Sequence, residues 1–265
     1  MKLKLRPFDL VFVFLSGLMV LFVILPLAST LLATTPRAFW QALSDPEVYR
    51  SIGLTFGAAA IATGLGLASG VPLAYLLARR RFRGKRLVEA IINLPVVVPH
   101  TAAGVALLMV FGRRGLLGQW LAPLGITFTD KPAGIAAAML FVSLPFLVNM
   151  SKEAFAMVDE ELERVAFTDG ATRWQAFVHV TLPLAWRGVL GGAVMMWARG
   201  ISEFGAVVIL AYHPKIVPVL IYERFEGFGL SAALPVAVLL IFSVLIVFSL
   251  LRLVLLPERE ESSKM

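Results

Sequence analysis

Six long apolar runs alternate with short polar links along the chain. They cover Phe8 to Ala33, Ser51 to Ala78, Leu87 to Phe111, Ala133 to Met150, Leu184 to Ala211 and Leu230 to Leu251. A helix needs about 20 apolar residues to cross a hydrocarbon core about 30 Å thick, so each run has the length of a membrane span. The first run contains Pro26, exceeds the core of a signal peptide and shows no convincing cleavage site, so it is read as a retained span. The second carries Gly53, Gly57, Gly64, Gly66 and Gly70, small residues that let helix backbones approach closely in lipid. The third is broken by Asn93-Leu94-Pro95 and Pro99-His100-Thr101. Prolines at that depth free backbone carbonyls, which is tolerated only inside protein or beside water.

The polar links set the topology. Arg79, Arg80, Arg81, Arg83, Lys85 and Arg86 place six basic residues within eight after the second run, which marks that side as cytosolic. Arg113 and Arg114 fall on the opposite side, and one pair does not outweigh six. Both termini are then cytosolic. Three external links follow: Thr34 to Arg50 with Phe39 and Trp40 as interfacial anchors, Gly112 to Pro132 with a short helix near Gly118 to Leu124, and Tyr212 to Gly229, where IVPVLIYERFEGFG suggests a short amphipathic helix. After Pro257 only EREESSKM remains, so no regulatory domain is expected there, and no fixed-period repeat is visible. The chain, residues 1–265, reads as one transmembrane domain.

The least hydrophobic stretch is KEAFAMVDEELERVAFTDGATRWQAFVHVTLP, Lys152 to Pro183. Asp159 is placed to cap a helix over EELERVAFT, whose three early glutamates suit the positive end of the helix dipole, and Gly170 can stop it in the left-handed region. A second helix starts after Thr172, with Trp174, Phe177 and Val178 on one apolar face. This is a cytosolic helix-turn-helix elbow between two spans.

Composition narrows the chemistry. Of 265 residues 59% are hydrophobic and 15% charged, with mean hydropathy +0.86. That is an integral membrane protein, since soluble domains carry about 25% charged residues. The absence of cysteine excludes disulfides, thiolate metal sites and cysteine nucleophiles. Net charge +7 sits at segment ends, where topology explains it without nucleic acid. The Gly84-Lys85 pair lacks the rest of a phosphate-binding loop, so this chain is not expected to hydrolyse ATP. His100, His179 and His213 lie apart with no metal-ligand spacing, and Ser69, Ser143 and Ser202 have no evident base, so no catalytic or metal site is expected. Arg199 and Glu203 stand out, a charged pair at i and i+4 inside the fifth run. Charges at that depth are costly and mark function or a self-neutralising contact. A continuous helix from Leu184 would put them about 22 and 28 Å along its axis, in the outer half of the membrane.

Several motifs carry a resemblance. Gly170-Ala171, nine residues between Gly170 and Val180, and Leu182-Pro183 are similar to the coupling loop of ABC-importer permeases, EAA-x3-G-x9-I-x-L-P. Here Arg164 stands at that pattern's Glu, Val165 at its first Ala and Ala166 at its second, while Glu163 falls one residue early. NLPVVVPHTAAGVALLMVFGRRGLLG, ARGISEFGAVVILA and LIYERFEGFGLSAALPVAVLL resemble the molybdate/tungstate branch of those permeases, over a core of about 48–252. The resemblance implies an all-α membrane protein with six transmembrane helices and the type I ABC importer permease fold. It implies a homodimer in the cell membrane, two cytosolic ATPase subunits that bind the ATP and Mg, and an external binding protein delivering an oxyanion. The chain itself would hold no cofactor. Glu163, Arg164, Ala166, Gly170, Ala171, Arg173, Trp174, Leu182 and Pro183 are then the coupling residues, and Asn93, Pro99, His100, Thr101, Arg199 and Glu203 are candidates for the path and its gate. Alternatives are a sulfate or other small-anion permease, a secondary transporter, for which no ion-coupling site or inverted repeat is seen, and a membrane scaffold.

Overall fold

The computed structural model describes residues 7–255; the basic Met1 to Arg6 segment and the tail beyond Leu255 lie outside them. The described residues form helices joined by short irregular links, with no strand among them: α1 (Pro7–Leu32), α2 (Pro36–Ser44), α3 (Pro46–Arg79), α4 (Lys85–Val97), α5 (His100–Phe111), α6 (Gly118–Leu121), α7 (Pro132–Met157), α8 (Glu160–Thr168), α9 (Arg173–Ala176), α10 (Leu182–Ile201), α11 (Gly205–Leu210), α12 (Val217–Phe228) and α13 (Leu230–Leu255). Proline opens α2, α3 and α7 at their first positions, where its missing N–H is no loss. Thr35 and Asp45 cap the first two of these through side-chain oxygens.

Five helices are long and apolar enough to cross a membrane, and α4 with α5 makes the sixth span, bent by 115° at Val98–Pro99. The bend follows from Pro99, which holds Val98 in an extended conformation and so ends α4. The scaffold is α3, α7 and α10 packed side by side, with α4 laid on α7 and α5 on α11. The small residues of α3 divide between two faces. Gly66 and Gly70 are buried, where an added Cβ would meet Met196 and Leu147 or Leu144 and Val148; Gly53, Gly57 and Gly64 face open space. Helix α1 stays at the periphery, touching α13, with its apolar side chains exposed.

Three expectations need correction. The fifth span does not run unbroken to Ala211: α10 ends at Ile201, residues 202–204 are irregular, and α11 begins at Gly205. The fourth span does not stop at Met150, because Ala154 and Phe155 are buried in the core and carry α7 on to Met157. The second elbow helix is not separate from the fifth span, since α9 passes through a π-turn at Phe177–Thr181 straight into α10. Leu182 N–H donates to Phe177 O, five residues back, which widens this turn.

Candidate functional site

Polar chemistry concentrates in three places. The first is the elbow. Asp159 accepts from Glu161 N at 3.0 Å and starts α8; Gly170, at φ +87°, turns the chain; Thr172 and Gln175 form a reciprocal capping box that starts α9. All three signals were legible in the sequence. What the sequence hid is how the elbow is held. Glu163 is buried at 8% exposure and points inward, its carboxylate accepting from Arg79 Nε at 2.9 Å, Thr181 Oγ1 at 2.7 Å and Tyr75 Oη at 3.2 Å. Arg79 Nη2 also donates to Val158 O at 2.8 Å. One carboxylate thus ties α8 to the end of α3 and to the π-turn before α10. Beneath it the rings of Tyr75, Phe155 and Phe177 pack against one another.

The outer surface of the elbow is different in kind. Arg164 is exposed and pairs along α8 with Glu161, while Leu162, Val165, Phe167 and Trp174 are exposed and apolar, Trp174 at 71%. Gly170, Arg173 and Pro183 are exposed, and Ala166, Ala171 and Leu182 half-buried. Of the expected coupling residues, Glu163 is therefore the internal strut, and the others form or border the open face. The pairing of Glu163 with Tyr75, Arg79 and Thr181 is not legible in the sequence, because Arg79 lies 84 residues away and no local pattern links them. The one available signal was a glutamate on the inward side of α8, which demands a cation.

The second place is where α5 begins and α10 ends. Glu203 is buried at 1% exposure. Its Oε1 accepts from Ala206 N at 2.8 Å, closing the start of α11, and its Oε2 lies 2.7 Å from His100 Nδ1 and 3.0 Å from Arg199 Nη2. Arg199 Nη2 also lies 2.9 Å from His100 Nε2. The same Nη2 is 2.9 Å from Nδ1 as well, so the guanidinium nitrogen sits against the imidazole ring as a whole while Nδ1 faces the carboxylate. The two charges, expected to share one exposure, differ: Arg199 keeps an open edge and Glu203 does not. The helices meet closely here. A Cβ on Gly205 would come within 2.7 Å of His100 Cβ, and one on Gly104 within 2.9 Å of Ala206 O. Pro99 and Thr101 are exposed beside the triad. Asn93 sits apart from it, half-buried on the α4–α7 seam, where its side chain accepts from Asn149 at 2.7 Å and donates to Glu89 O; Glu89 in turn pairs with Lys152 at 3.1 Å.

A third cluster lies at the far end of α3 from the elbow. Lys215 pairs with Glu223 at 2.6 Å and Glu47 at 2.9 Å, and Arg224 with Asp45 at 2.5 Å, tying α12 to the start of α3. The Lys215 hydrogen bond holds the Glu223 carboxyl below its ordinary value, and the same bond raises the Lys215 ammonium. Among the described residues no group of acidic, histidine or cysteine side chains is arranged to hold a metal.

Known proteins agree with this architecture. The chain is 40% identical over 91% of its length to the molybdate/tungstate transport system permease protein WtpB of Thermococcus kodakarensis, covering 93% of that protein, and 43% identical over 90% to that of Pyrococcus furiosus, covering 91%. It is 32% identical over 87% to the sulfate transport system permease protein CysT of Escherichia coli, covering 86%. Among solved structures it resembles a bacterial ABC transporter involved in import of the polysaccharide alginate, with TM-score 0.70 at 17% identity over 91% of both chains. Residues 70–259 match the family described as binding-protein-dependent transport system inner membrane component, and with relatives this similar over nine-tenths of its length the chain belongs to that family.

Proposed function

We propose that this chain is the membrane-spanning permease subunit of an ATP-driven importer of molybdate and tungstate. The observation that carries the reading is the 40–43% identity, across the whole span architecture, to permeases named for those ions, against 32% to a permease named for sulfate. The chain works as a homodimer, with an external binding protein that supplies the anion and two ATPase subunits that hydrolyse ATP. Energy enters at the elbow. The exposed Leu162, Val165, Phe167 and Trp174 are an apolar docking face for an ATPase groove, Ala171 must stay small for that fit, and the buried Glu163 carries the resulting displacement into α3 and α10. The basic Arg80 to Arg86 loop sits at this same end, which supports placing the elbow and both termini in the cytosol. The anion path runs past the broken helices, with Pro99, His100, Thr101 and Arg199 at its side and Asn93 and Glu203 holding those breaks in place.

The test is ATP hydrolysis by the reconstituted complex with its cognate binding protein. Tungstate and molybdate are expected to stimulate it; stimulation by sulfate alone would overturn the assignment. Ala171→Trp is expected to uncouple hydrolysis from uptake.

A further inference from the structure

The triad at the end of α10 is a dipole with a buried negative pole. Glu203 has both oxygens committed inside the protein, to Ala206 N and to His100 and Arg199, and is 1% exposed. The Arg199 side chain is 24% exposed and that of His100 38%. A guanidinium carries five N–H donors in a rigid fork suited to oxyanions. Nη2 serves Glu203 and His100, while Nη1 makes only a long 3.3 Å contact to Ser202 Oγ, so the fork retains donor capacity on its open side.

We propose that the open edge of Arg199 is a transit site for a tetrahedral dianion, with Glu203 and His100 as positioning residues that hold the guanidinium and do not touch the ligand. This rests on reading the chain as an oxyanion permease. The arrangement supplies weak binding. With the carboxylate oxygen 3.0 Å behind Nη2, an ion about 4 Å in front feels a repulsion near half of the attraction, since Coulomb energy falls as 1/r. A free arginine would hold the dianion, and a spread ion pair would not attract it. His100 completes the device: its ring lies 2.9 Å from Nη2 at both nitrogens and 2.7 Å from the carboxylate, which holds the guanidinium in place.

The experiment exploits the absence of cysteine from the chain. Ser202→Cys places a thiol beside Nη1. In the reconstituted complex an anionic methanethiosulfonate is expected to label it several-fold faster than a cationic one, and millimolar tungstate to slow the labelling where equimolar chloride does not. Adding Arg199→Gln is expected to abolish both effects, and adding Arg199→Lys to retain part of them. In proteoliposomes Arg199→Gln is expected to lower tungstate uptake about tenfold or more, as loss of a charged hydrogen bond implies. Labelling that ignores reagent charge and tungstate, or wild-type uptake by Arg199→Gln, overturns the site; if the Gln variant does not assemble, labelling of Ser202→Cys alone decides. Because labelling needs no binding protein, the two readings fail separately: wild-type complex that takes up no molybdate or tungstate refutes the substrate assignment, whereas normal wild-type uptake without tungstate protection refutes the site.

Discussion

Removing the Glu163 carboxylate is expected to detach the elbow from the membrane domain while leaving the spans folded. Glu163→Ala deletes three accepted hydrogen bonds and strands the Arg79 side chain, itself only 6% exposed, with its bond to Val158 O and a 4.0 Å approach to exposed Glu160. Breaking a buried pair from one side costs about 3–5 kcal/mol. Since Arg79 keeps one good acceptor, the lower part of that range applies, about 3 kcal/mol, or roughly a hundredfold in the equilibrium for local opening. Hydrogen exchange on the purified complex measures it directly. Amides of α8 should lose about two orders of magnitude of protection, while those of α3 and α7 change little, and ATP hydrolysed per ion imported should rise. Glu163→Gln, which keeps the shape and some of the bonds, should give a smaller effect. Replacing both partners with apolar residues, Arg79→Met with Glu163→Leu, should recover much of the loss, because no charge is left buried. An Ala variant whose α8 exchange moves less than threefold, with coupling intact, would refute the strut.

Three further outcomes follow from the same geometry. Gly104→Val should destabilise the complex by about 1–3 kcal/mol in a detergent melting assay, since its Cβ would press on the Ala206 carbonyl, whereas Gly227→Ala on open α12 should be neutral. The Glu223 carboxyl is held low by Lys215, so its contribution to stability is complete above its ordinary value of 4.5 and is lost as pH falls through the lowered value; Lys215 is raised, so its share persists below 10.5 and disappears only as pH rises through the raised value. Melting temperature should therefore decline on the acid side below about pH 4.5, and Glu223→Gln should flatten that decline. Trp174→Ala should leave stability within about 0.5 kcal/mol of wild type in the melting assay but weaken capture of the ATPase subunit about tenfold or more, as expected for an exposed aromatic anchor.

Class and local turns are written in the order of the residues. Apolar runs fix where a chain can cross lipid, because no backbone group can be left unpaired there. Asp159, Gly170 and Thr172 act within three residues of themselves, so the elbow's turns were legible to the residue. The short helix after Gly118 and the amphipathic α12 were legible for the same reason. Motif spacing carried the family. Which polar residues meet depends on how the helices pack. The break after Ile201 lies in a run with no proline, ARGISEFGAVVIL, and depends on a carboxylate that caps α11 from inside while receiving His100 from 103 residues away. Glu163 is grouped with the coupling residues by its place one residue before the motif's glutamate position; its inward orientation is set by Arg79 and Thr181, distant in sequence. Periodicity reports which side of a helix is apolar, but a buried charge is placed by its partner, and that partner is chosen by the fold.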